Sequence, residues 1–339
     1  MRQLFSPGRV VLLLFFAAAA LLPLVVDPRG HLLRVAAMVL LFAAMAQSWN
    51  IVGGLANQIS LGHAAFFGLG AYTSTLLFLK LGVSPWLGMF VGAGVAGAAA
   101  ALLSIPTFRL KGHYFALATL AFAEVMRVIA NSWASLTGGP VGLSIPFMGT
   151  QPAYFAFRAV SSYYWAILGL LVFVCLVFHL LARGAIGYRL RAVRENESAA
   201  EVAGVDTFRV KLTASVISAA LTAMCGTVFA QFTFFFDPDS IFSLAGISVR
   251  MAMIAIVGGL GTLGGPLIGA LFLIPLEEVA NAYLSSKAAG LSQLVFGLIL
   301  IAAILIQPRG VMAFWPKKRR AAKAVPPVVA PAQAAAKGA

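Results

Sequence analysis

Residues 34–72 read RVAAMVLLFAAMAQSWNIVGGLANQISLGHAAFFGLGAY. The first part, about 34–53, is an apolar run long enough to cross a bilayer as a helix, which takes about 20 residues. The second apolar run, about 58–79, opens on Asn57, Gln58, Ser60, Gly62 and His63. That opening is too polar for a lipid-facing turn, because lipid offers no hydrogen-bond partner to a polar side chain or a free backbone group. Glycines on both sides of it permit a helix to break and let helix backbones approach closely. Apolar helical runs punctuated by polar, glycine-rich breaks predict an all-α, polytopic transmembrane helical bundle of about eight to ten spans, with 58–79 a broken or re-entrant segment.

The rest of the chain supports this. Of 339 residues, 61% are hydrophobic and only 10% charged, and the mean hydropathy is +0.96. Ordinary soluble domains are about 45–50% apolar and about 25% charged. A soluble enzyme, a disordered chain and a collagen-like fibre are thereby excluded. Ten apolar segments can be drawn, at about 10–26, 34–53, 58–79, 86–106, 113–133, 162–182, 212–234, 244–260, 265–284 and 289–306. The organisation is an N-terminal anchor helix and outer loop (1–33), a transmembrane domain (34–310) and a basic, Ala/Pro-rich tail (311–339), which reads as a headgroup anchor followed by disorder. The first segment, with Arg2 and Arg9 ahead of it, is long and lacks a small-x-small cleavage site, so it reads as a retained anchor.

The net charge of +14 would suggest nucleic acid in a soluble protein. Here it reports orientation. With the N-terminus in the cytoplasm and ten crossings, 17 of the 24 Lys and Arg residues fall on the cytoplasmic side, as the positive-inside rule requires. Both termini are then cytoplasmic, and the bilayer, not nucleic acid, is the partner. The longest inside loop, about 183–211, carries six basic and four acidic residues.

Catalytic chemistry is nearly absent. The histidines are scattered, no HExxH, GxSxG or Walker A sequence occurs, and Cys175 and Cys225 lie in apolar runs without metal or disulfide spacing. No cofactor is expected, and any energy for transport must come from a partner or an ion gradient. Asn57, Gln58, Ser60, Gly62 and His63 leave two readings open: the lining of a gate or path, or interhelical packing by satisfied polar groups. Glu124 and Arg127 are three apart on one predicted helix, so they share a face and can pair. Arg250 is a further charge at membrane depth. Gly258–Gly269, GGLGTLGGPLIG, reads as a tight cytoplasmic turn. In the inside loop Arg191 and Glu195 stand at i,i+4, and Ala200 and Gly204 give a small-residue patch. A short surface helix there suggests a docking element, with a solvated connector as the alternative.

Four blocks, NQISLGHAAFFGLGAY (57–72), LKGHYFALATLAFAEVMR (110–127), GYRLRAVRENESAAEVAGVDTFRVKL (187–212) and GGLGTLGGPLIGA (258–270), resemble the permease subunits of branched-chain amino acid ABC importers, the LivH/LivM family, and the LivM type more closely. Asn57 stands where the family often has Gly. Glu197, Ala199, Ala200 and Gly204 are similar to the EAA-x3-G coupling loop of ABC importers, with Ser198 interrupting it. The resemblance implies that this loop, with Arg191, Arg194 and Glu195, contacts a cytoplasmic ATPase. It also implies a second homologous permease, two ATPase subunits, an extracytoplasmic binding protein and a place in the bacterial inner membrane. ATP hydrolysis would belong to the partners. Members of this family serve branched-chain amino acids, and relatives serve urea, short amides or other amino acids. The rival class is an ion-coupled secondary transporter, suggested by Glu124, Arg127 and the broken segment.

Overall fold

The computed structural model describes residues 7–284 apart from 28, 29, 109, 111 and 148, together with 294, 297 and 298. The tenth predicted segment, apart from those three residues, and the tail lie outside the described residues, as do Arg109 and Lys111.

Among the described residues the helices are α1 (Pro7–Val25), α2 (His31–Asn50), α3 (His63–Leu81), α4 (Pro85–Thr107), α5 (His113–Ser132), α6 (Ala134–Thr137), α7 (Val160–Arg183), α8 (Ala185–Glu195), α9 (Glu197–Val202), α10 (Thr207–Thr233), α11 (Pro238–Ile241), α12 (Arg250–Gly258) and α13 (Gly265–Leu284). A π-helical turn, Ile51–Leu55, prolongs α2, and another, Leu244–Val249, leads into α12. Eight helical stretches are long and apolar enough to cross a membrane, counting His31–Leu55 and Pro238–Gly258 as one each, and Leu12–Val25 within α1 adds a shorter apolar helix. The protein is an all-α, multi-pass membrane bundle.

Local chemistry accounts for the turns. Between α3 and α4, Gly82 takes the left-handed conformation (φ 65°), and the Gly82 and Val83 N–H groups donate to Phe78 O (3.0 Å) and Leu77 O (3.2 Å). Ser84 then caps α4, with Pro85 at its first position. Asp237 begins α11 with a reciprocal capping box to Ser240.

α2 is the buried centre, with every residue from Val39 to Asn50 inside. It lies against α7, α10, α12 and α13. The 27-residue α10 packs on α3 and α4 as well. Contact between α3 and α10 is backbone-close: a Cβ on Gly70 would meet Ala223 O at 2.1 Å, and one on Gly226 would meet Phe67 O at 2.0 Å. Such small-residue crossings suit a membrane, where association rests on packing rather than on the hydrophobic effect.

Of the two expectations for 58–79, a broken or a re-entrant segment, the structure fits the first: residues 58–62 are non-helical and the helix begins at His63. α3 runs its full 19 residues and belongs to the eight spanning helices. The irregularity lies ahead of it, at 56–62, where Asn57 takes a left-handed conformation (φ 55°) that Asn tolerates better than most residues. Several polar groups there find protein partners, as lipid would offer none: the Gln58 N–H donates to Val52 O (3.2 Å), the Leu61 N–H to Thr119 Oγ1 (3.0 Å), and Ser60 O accepts from Trp49 Nε1 (2.7 Å). The loop at 134–159 is also more ordered than its Gly/Pro content suggests. Leu143–Ser144 pairs antiparallel with Phe235–Phe236, and Phe155, 1% exposed, sits 4.3 Å from the Trp86 ring.

Candidate functional site

Because the spanning helices alternate in direction, the connections at 56–62, 184–206 and 259–264 gather at one end of the bundle, and so do the motif blocks. Asn50, at the end of α2, is fully buried. Its Oδ1 accepts from the Gly261 N–H (2.8 Å) and its Nδ2 donates to Thr262 O (2.9 Å). One side chain thus satisfies both polarities of the α12–α13 turn. Arg194, near the end of α8, donates from Nη1 to Gly54 O (2.7 Å). Gly54 must be glycine here: a Cβ would lie 2.0 Å from Asn50 Oδ1 and 2.5 Å from Gly261 N. Asn50, Gly54, Arg194 and Gly261 tie three connections into one knot behind α8 and α9.

α8 is amphipathic, with Gly187, Leu190 and Val193 inward. Arg191 does not pair with Glu195 as its i,i+4 spacing suggests. Its guanidinium donates to Gly187 O (3.1 Å) and Ala182 O (2.9 Å) and lies 4.6 Å from the Tyr188 ring. Ala182 O, in the last turn of α7, lacks a helical partner, and its need outweighs an exposed ion pair worth about a few tenths of a kcal/mol. Asn196 caps α9 by accepting from the Ala199 N–H (3.0 Å). Ala200 faces inward, so the small-residue patch expected from Ala200 and Gly204 is not an exposed one. Ala199, Val202, Ala203 and Gly204 form the exposed tip, Val202 being 91% exposed. Gly204 makes the turn that ends α9 with φ 84°. Glu195 is exposed, whereas Glu197 is half-buried and paired with Lys211 (2.6 Å).

A chain of hydrogen bonds runs from the break at 56–62 into the core. Ser218 Oγ donates to Ser48 O (2.7 Å), so it accepts from His63 Nε2 (2.8 Å); His63 Nδ1 is then an acceptor for Ser60 Oγ (3.0 Å). In the neutral ring that order of donors puts the proton on Nε2. Trp49 Nε1 donates to Ser60 O (2.7 Å), and the Leu61 N–H donates to Thr119 Oγ1 (3.0 Å). Gly62 lies against Thr119, whose O a Cβ would meet at 2.6 Å. Asn57 is exposed and Gln58 half-buried at the rim.

The remaining predicted path residues lie elsewhere. Glu124 and Arg127 pair as expected (Nε to Oε1, 3.1 Å), but on the exposed face of α5 toward the other end of the bundle. Arg127 also bridges to Asp239, which accepts from Asn131 Nδ2 (3.1 Å). The structure therefore splits the predicted set in two. It also answers Arg250, which pairs with Glu277 of α13 and lies 4.9 Å from the Phe42 ring. Sequence reasoning passed over Ser48, Asn50, Ser218, Lys211 and Glu277. A polar run inside an apolar helix (Gln47–Asn50) and an acid inside another (Glu277) were the available signals.

The family described as branched-chain amino acid transport system / permease component matches residues 31–304. The high-affinity branched-chain amino acid transport system permease protein LivM of Salmonella typhimurium is 30% identical over 302 residues, 82% of this chain and 69% of that protein. The LivH protein of the same organism is 27% identical over 289 residues, covering 80% and 91% respectively. A probable LivM of Methanocaldococcus jannaschii is 23% identical over 250 residues, covering 70% and 68%. No solved structure matches. The family match takes in all four sequence blocks, including those that form the knot behind α8 and α9, and the chain belongs to the branched-chain amino acid transport permease family, as a LivM-like member.

Proposed function

We propose that this chain is the membrane-spanning permease subunit of an ATP-driven importer of branched-chain or related hydrophobic amino acids, coupled to separate ATPases through α8 and α9. The observation that carries this is the knot of Asn50, Gly54, Arg194 and Gly261. It gives an exposed pair of short helices a firm attachment to two membrane helices, which a docking element needs and a slack connector does not. In this reading Glu195, Ala199 and Gly204 face the ATPase, while Arg191, Arg194, Glu197 and Ala200 hold the shape of the loop. The partners are a second homologous permease, two ATPases and an extracytoplasmic binding protein, and this chain needs no cofactor. The chain sits in the bacterial inner membrane with both termini cytoplasmic, which places α8 and α9 on the ATPase side. The exposed Glu124–Arg127 face of α5 suits a water-filled path or the second permease better than lipid, where an unpaired charge costs about 3 kcal/mol or more.

Reversing the charge at Arg194 (Arg194→Glu) is expected to leave ATPases hydrolysing without uptake in proteoliposomes of the full complex. Uptake that persists with no ATPase present overturns the proposal. The same exposed Glu124–Arg127–Asp239 cluster supports one other reading, an ion-coupled transporter. Gradient-driven uptake by this chain alone would establish that reading, and inactivity would remove it. Substrate choice among amino acids, urea and short amides is read by uptake competition.

A further inference from the structure

α9 meets α10 through a matched pair of i,i+4 positions. On α9, Glu197 and Glu201 share a face; on the first turns of α10, Thr207 and Lys211 do the same. Lys211 Nζ lies 2.6 Å from Glu197 Oε1, and Thr207 Oγ1 donates to Glu201 Oε1 (2.7 Å). The Lys211 side chain is only 4% exposed, and its ammonium lies 5.3 Å from the Phe108 ring centre. The pairs line a cavity of about 380 Å³ walled by Ile105, Phe108 and Phe208. A lysine so deeply withdrawn from water is tolerated only with its partner in place, so separating α9 from α10 strands a charge. Two turns further along α10, on the same face as Lys211, stands Ser218, which joins His63 of α3 to Ser48 of α2. One helix thus carries the α9 contact at its start and the buried hydrogen-bond chain about 10 Å beyond.

We infer that Lys211 is a positioning residue that locks α9 to α10 through Glu197, so that the two helices move as one body and displacement of α9 reaches the His63–Ser218 contact in the core. Glu201 and Thr207 keep the register of the two helices. This rests on the reading of α9 as the element that an ATPase moves. A tether without such a lock would let α9 swing while α10 stayed still, and only a rigid connection with two discrete arrangements carries coupling between sites.

The test uses the full complex of both permeases, ATPases and binding protein in proteoliposomes, with Lys211→Met, Glu197→Gln and the double variant. The readouts are retention of the ATPases, hydrolysis rate, and substrate imported per ATP. In each single variant, import per ATP is expected to fall on the order of tenfold, within the usual range of coupling between sites, with the ATPases still bound. The double variant is expected to be no worse than either single, because the pair acts as a unit. An unchanged ratio, additive losses, or a parallel fall in hydrolysis and uptake with loss of subunits would each overturn the inference; the last would assign the pair to folding alone. Failure of the unsubstituted chain to bind an ATPase would instead overturn the reading on which it rests, and it is observed before any variant is made.

Discussion

α2 and α5 are apolar helices of 20 residues each, and their environments are opposite. The spanning window that begins at α2 is 83% buried and that of α5 is 22% buried. Both carry polar residues, but to different ends. In α2 the Ser48 carbonyl and the Trp49 and Asn50 side chains turn inward and stitch α10, the 56–62 connection and the α12–α13 turn together. In α5 only Thr119 does so; Glu124 and Arg127 remain on the outer face with Asp239. Hydropathy alone admits both as spans. What separates them is whether polar groups have protein partners within reach, and this decides which helix organises the bundle and which one presents a surface.

The comparison can be broken at its strongest point by Gly54→Val. A side chain there collides with Asn50 Oδ1 and Gly261 N, and the variant is expected to lose more than about 3 kcal/mol, the scale of severe overpacking. Failure to recover folded chain in detergent measures it; a stable, active variant would show that the turn is not tightly held. Asn50→Ala should follow. It leaves the Gly261 N–H and Thr262 C=O without their partner, at about 1–3 kcal/mol, seen as a lower melting temperature. His63→Phe keeps the ring and removes the link between Ser60 and Ser218, at about 1–2 kcal/mol, with Ser218 hydroxyl deuterium exchange or the melting temperature as the check.

The smallest effect on stability should come from α5. Arg127→Gln breaks an exposed ion pair, and such pairs contribute little to folding. Its melting temperature should match that of the unsubstituted chain, while uptake by the full complex falls. A large loss of stability instead would mean that α5 is tied to the bundle through its charges, and the contrast with α2 would disappear.

Much of this bundle was legible in the chain. α13 begins and ends where its apolar run does, and α5 and α7 lie within a residue or two of theirs. The loop between α7 and α10 was recognisable from its polarity, although its division into two helices and the cap of α9 at Asn196 needed the fold. The candidate site was legible in part. Ser60 and His63 were singled out, but Ser218, the other partner of His63, lies 155 residues away. Arg191 and Glu195 stand at i,i+4, yet the Arg191 guanidinium donates to backbone carbonyls of Gly187 and Ala182, which the spacing gave no sign of. Arg250 and Glu277 are separated by a turn and two helix segments, so no helical spacing rule could join them.

By itself the sequence determined that this is a multi-span helical membrane protein, where its helices break, and which family it resembles. Those properties depend on local hydropathy, on turn chemistry and on short runs of residues. Tertiary structure alone decided which helix is central, that the passage at 56–62 is bonded to α2 and α5, and that Lys211 partly withdraws Glu197 from the surface of α9. Those outcomes depend on which polar groups meet across the bundle, and in a solvent without hydrogen bonds that meeting determines where every polar residue goes.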